Sequence, residues 1–106
     1  MGKYLFRASL SPEGVAGVLA EGGTARHDVV RSAIETLGGT LESFYFAFGD
    51  DDVVGIMDMP DNESAAALAM EVSSSGRVEV RTTVLLTPEE LDRAAQLKSG
   101  WRAPGA

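Results

Sequence analysis

The chain contains no cysteine, which removes structural disulfides, thiol catalysis and cysteine-based zinc or iron–sulfur sites at once. Basic residues are also scarce. Nine Lys plus Arg stand against 16 Asp plus Glu, a formal charge of -7 that repels phosphate backbones and anionic membranes. Neither nucleic acid nor a membrane is therefore an expected partner. No hydrophobic run approaches the length of a membrane span, and the opening MGKYLFRASL interrupts its apolar residues with Lys3 and Arg7, as a strand does and a signal peptide does not. A soluble, cytoplasmic protein is expected. A glycine-rich phosphate loop, a nucleophile elbow and a metal-ligating cluster are missing as well, so no cofactor and no metal are expected.

What the 106 residues do contain is sheet-forming sequence, concentrated in LGGTLESFYFAFGDDDVVGIMDM from Leu37 to Met59. Residues 40–48 are rich in aromatics, residues 53–59 in Val, Ile and Met, and the intervening Gly49, Asp50, Asp51 and Asp52 have the composition of a tight turn. This reads as a hairpin. Pairing Phe48 with Val53 puts Phe44, Phe46, Phe48, Val53, Gly55 and Met57 on one face, and Ser43, Tyr45, Ala47, Val54, Ile56 and Asp58 on the other. Both faces are largely apolar, so both need cover, and a chain of 11.1 kDa has helices enough for one. A second copy of the chain is the expected cover for the other, which makes a homodimer.

Elsewhere the pattern is regular. Tyr4, Phe6, Ala8 and Leu10 alternate along a first strand; Ser11-Pro12-Glu13 opens a short helix with Val15, Val18 and Leu19, closed by Gly22-Gly23. Thr24 is the expected cap of a second helix with Val30, Ala33, Ile34 and Leu37 inward, ended by Gly38-Gly39. Pro60 stops the hairpin, Asp61 or Asn62 starts a third helix with Ala65, Leu68, Ala69 and Val72 inward, and its alanines suit close approach to a sheet. Val78, Val80, Thr82, Val84 and Leu86 mark a last strand, and Thr87-Pro88-Glu89-Glu90 forms a capping box for a terminal helix bearing Leu91, Ala94, Ala95 and Leu97. The phrases SLSPE and LLTPE thus follow a strand twice. The order predicts an α+β, ferredoxin-like split βαβ domain with a four-stranded antiparallel sheet and an extra C-terminal helix, over residues 3–97, with 98–106 as a tail carrying Trp101.

KYLFRASLSPEGV, the double glycine Gly22-Gly23, LGGTLESFYFAFGDDDVV, the MPDNESAAALA run and LLTPEE together resemble the GYD domain family, over about residues 3 to 95. The resemblance implies a ferredoxin-like fold of the dimeric α/β-barrel kind, in which two sheets face each other across a subunit interface. The chain departs from the family where a tyrosine normally precedes the last aspartate of the naming motif: Asp51 stands there, before Asp52. The wider superfamily includes cofactor-free oxygenases, isomerases, haem enzymes and effector-binding domains, so fold does not choose among chemistries.

Candidate site residues follow from residue type. Tyr4, Phe6, Phe44, Phe46, Gly55 and Met57 are the candidate lining of an apolar pocket, although aromatics and methionines at strand spacing also serve as packing. Gly55 marks either a gap covered by an aromatic ring or a small cavity lined by phenylalanines. His27 and Tyr45 are the candidate proton-handling residues. Asp28 sits one residue from His27 on a helix, a spacing at which side chains do not face each other, and is expected to be a poor orienter. Asp50, Asp51 and Asp52 lack the ligand spacing of a calcium loop and read as a solvated turn. Two functions remain: a homodimeric module binding a small apolar or aromatic molecule, and a cofactor-independent oxygenase or isomerase acting on an aromatic or polyketide-like substrate.

Overall fold

The computed structural model describes residues 2–106. Strand β1 (Gly2–Leu10) leads into helices α1 (Pro12–Glu21) and α2 (Gly23–Thr36); β2 (Thr40–Phe46) and β3 (Val53–Met59) form the hairpin. Helix α3 (Asn62–Ser74), strand β4 (Val78–Leu85) and helix α4 (Pro88–Gln96) follow. The sheet is open and has the order β2-β3-β1-β4, with every neighbouring pair antiparallel. This is the ferredoxin-like split βαβ arrangement. No helix among the described residues is long and apolar enough to cross a membrane.

Cap chemistry sets several of the boundaries. Ser11 and Thr87, the hydroxyl residues of the two related phrases, accept from the amides of Gly14 (3.1 Å) and Glu90 (3.1 Å), and Glu90 returns a bond to the Thr87 amide (2.9 Å). Asp61 accepts from Ser64 N at 2.7 Å. These amide bonds hold the Asp61 and Glu90 carboxyls below their ordinary values. Thr24, by contrast, lies inside α2, which begins at Gly23 with no side-chain cap. The turn between the helices is made at Gly22, whose amide closes α1 on the Val18 carbonyl at 2.7 Å.

The helices cover the face carrying Tyr4, Phe6, Ala8, Val53, Met57 and Met59, all buried, and Ile34 of α2 and Ala65 and Leu68 of α3 complete that core. Helix α1 approaches differently from the expected stripe. A Cβ at Gly14 would fall 2.4 Å from the Arg77 carbonyl, so the glycine lets α1 lie against the entry to β4, and Val15 and Leu19 are left exposed.

In the hairpin, Phe46 and not Phe48 pairs with Val53. Strand β2 ends two residues early, and Phe48 projects fully exposed from a loop over 47–52. Slipping by two preserves the side-chain faces, which is why the face assignment survives the wrong register. A bulge between Leu41 and Ser43 does change a face: Leu41 pairs with Met57 and joins the helix-covered side.

Gly55 lies between Phe6 and Phe44 in neighbouring strands, and a Cβ there would sit 2.2 Å from Phe6 Cζ and 2.6 Å from the Ser43 carbonyl. The Phe6 ring fills the gap over the glycine. Gly55→Ala should therefore cost about 1–3 kcal/mol in a urea titration, since the strand carbonyl cannot swing away as a ring can. Phe48→Ala should stay within about 0.5 kcal/mol of the parent in the same measurement.

Candidate functional site

Above the covered face, α2 packs over β2 and α3 over β4, leaving the middle of the sheet under a gap. A cavity of 150 Å³ occupies it. Its floor includes Phe6, Phe44, Phe46 and Met57, and its walls include Val30 and Ala33 of α2 and Leu68, Ala69 and Val72 of α3. The three phenylalanines run as a connected row: Phe6 and Phe44 have ring centroids 6.3 Å apart and tilted, and Phe44 and Phe46 meet edge to face at 5.3 Å. Val29, Phe46 and Thr82 are lining residues that are also exposed, and Arg26, half-buried, joins the lining from α2.

Four of the six residues expected to line a pocket thus meet at one cavity. The other two have different work. Gly55 is occupied by the Phe6 ring, and Tyr4 is a core residue whose hydroxyl donates to Asn62 Oδ1 at 2.6 Å, tying β1 to the first turn of α3. The helix-side lining was legible in sequence only as core stripe. Ala33 and Ala69, small side chains on two facing helices, are the signal that a gap would open between them.

His27 and Tyr45 do not come together. His27 lies on α2, its ring edge-on to Phe44 at 5.6 Å, whereas Tyr45 pairs with Val54 on the opposite, uncovered face and is 69% exposed. Neither lines the cavity. The expectation that Asp28 is a poor orienter of His27 rests on adjacent helix positions not facing each other; the two side chains nonetheless meet, His27 Nδ1 and Asp28 Oδ1 being 3.0 Å apart on the exposed surface. Asp28 is shared with Arg31 at 3.6 Å, so it is no dedicated orienter.

The aspartate turn is more structured than a solvated loop. Asp52 accepts from the Leu10 amide at 2.8 Å, and its own amide donates to the Ala8 carbonyl at 2.8 Å, so it stitches the loop to the end of β1. Asp51 pairs with Arg81 and lies 3.9 Å from Arg7, linking the hairpin loop to β1 and β4 across the uncovered face. The charge that replaces the family's tyrosine is thereby satisfied. Asp50 is exposed, and among the described residues no three acidic or histidine side chains converge as a metal-binding group would.

The uncovered face carries a diagonal apolar band from Tyr45 and Val54 through Ile56 and Leu5 to Leu85. Arg7 and Arg81 flank it on one side, with Asp51. On the other side Lys3 bridges Glu42 (2.5 Å) and Asp58 (3.2 Å), and the bond to Glu42 chiefly raises the Lys3 pKa. Helix α4 packs on no other element to any extent, and none of its residues is buried. Trp101 beyond it is exposed as well. The molecule is accordingly long, 58 × 32 × 23 Å, with a radius of gyration of 17.0 Å where a compact chain of this length has about 13 Å.

A split βαβ sheet with helices on one face and an apolar cavity beneath them defines a ferredoxin-like α+β domain. The sequence model of the GYD domain matches residues 4–95, and the chain belongs to that family. Comparison with curated proteins and with solved structures gave no significant match.

Filling the cavity between sheet, α2 and α3 should stabilise the fold. Ala69→Leu, on the cavity wall, is expected to raise stability by about 0.5–2 kcal/mol by thermal or chemical denaturation. Ala65→Leu, one turn earlier in the dry core, is expected to lower it by about 1–3 kcal/mol.

Proposed function

We propose that this protein is a homodimeric binding module for a small apolar or aromatic molecule, held between the sheet and helices of each chain. The observation that carries the reading is the cavity itself. Protein interiors pack with few voids larger than a water molecule, so 150 Å³ lined almost wholly by carbon is a space with a use. An engineered cavity of roughly 150 Å³ in another protein stays dry and takes up benzene, which sets the scale of the occupant at one six-membered ring.

Dimerisation is supported by the other face of the sheet. An apolar band with charged groups on either side suits a second copy turned over so that arginines of one chain approach carboxylates of the other. The same apposition gives α4 and Trp101 a surface to lie on. With His27 and Tyr45 both outside the cavity, the reading assigns no proton-transferring residue and requires no turnover.

Binding to the folded state raises its apparent stability by mass action. Toluene near saturation should raise the melting temperature of the wild-type protein, and Ala69→Leu, its cavity filled, should lose most of that rise. An unchanged melting temperature in the wild type would contradict the binding role.

A further inference from the structure

The cavity has one cationic residue in its lining, Arg26, and one other polar side chain, Thr82. Arg26 shares helix α2 with Val29, an exposed member of the lining, while Thr82 is exposed on β4 at the other edge of the sheet. The arginine side chain is only one-third exposed, so its stem and part of its head are held against the protein and not swung into solvent. Among the described residues the guanidinium makes one side-chain hydrogen bond, from Nη1 to Glu21 Oε2 at 3.4 Å, long for a charge-assisted bond. A guanidinium carries five N–H donors, so most of its donor capacity is left unspent by side-chain partners among the described residues.

We infer that the ligand of this site is a single-ring aromatic monocarboxylate, its ring in the cavity and its carboxylate on Arg26; the inference rests on the small-molecule reading above and narrows it. A ring of benzene size matches a cavity of 150 Å³. A neutral ring would take water from the arginine head and give nothing back. A carboxylate on a one- or two-carbon spacer replaces that water with two parallel charge-assisted bonds and displaces the weaker contact to Glu21. In a chain with a formal charge of -7, a cation in the lining of the apolar cavity also gives an anion a local reason to approach that the molecule as a whole denies it.

The test is calorimetric titration of the full chain with three probes sharing one ring: 3-phenylpropionate, ethylbenzene and phenethylammonium. The carboxylate is expected to bind about tenfold or more tighter than ethylbenzene, as a hydrogen bond to a charged group implies, and the ammonium weakest. Arg26→Gln should erase the preference while ethylbenzene affinity persists, Arg26→Lys should restore part of it, and Glu21→Gln should strengthen the carboxylate. Equal affinities for carboxylate and hydrocarbon, or a preference that survives Arg26→Gln, would overturn the inference and leave an apolar site standing. Failure of all three probes to bind would remove both the inference and the reading beneath it.

Discussion

A four-stranded sheet has two faces, and this chain has helices for one of them. That constraint governs the rest. On β1 and β3 the alternation is strict enough to send Tyr4, Phe6, Ala8, Val53, Met57 and Met59 under the helices, yet Leu5, Val54 and Ile56 on the reverse side are scarcely more polar. Ordinary one-sided sheets place charge and hydroxyls there. Here the charges are confined to the flanks of the band and are largely engaged with each other: Lys3 with Glu42 and Asp58, and Arg7 and Arg81 with Asp51. An apolar face framed in this way is the observation on which the proposed dimer rests.

On the covered side, the same economy of material produces the cavity. Two helices over four strands sit above the outer pairs, and where α2 and α3 should close over the centre both present alanine. On the central strands the Phe6 ring drops over Gly55 and occupies space that a side chain on β3 would otherwise fill. The remaining volume is bounded by Phe44 and Phe46, and Arg26 joins its lining. Core and cavity are therefore not separate layers of this structure, since residues that hold the sheet to its helices also line the cavity.

Element order, strand faces and most caps were legible because they depend on periodicity and on residues whose chemistry is local: Pro12, Asp61, Thr87 and the glycine pairs. The register of β2 was not, since Phe46 and Phe48 are equally good partners for Val53 by residue type, and the choice is made by Asp52 bonding to β1, a contact between residues far apart in sequence. Leu41 changed face through a bulge that leaves no mark in a period-two pattern. Val15 and Leu19 were recognisable as the apolar residues of α1, but the approach of that helix through Gly14, which leaves both exposed, was not. Arg26 carries no signal of a cavity in the sequence; only the placement of α2 over β2 brings it into the lining.

Coverage of the open face by a second copy is the proposal on which the dimer and the surface offered to α4 and Trp101 both rest. Sedimentation equilibrium of the purified chain at micromolar concentration measures it directly. The account predicts a single species of twice 11.1 kDa, converted to folded single chains by Ile56→Asp at the middle of the apolar band. Wild-type protein that sediments only at 11.1 kDa across that range would contradict it.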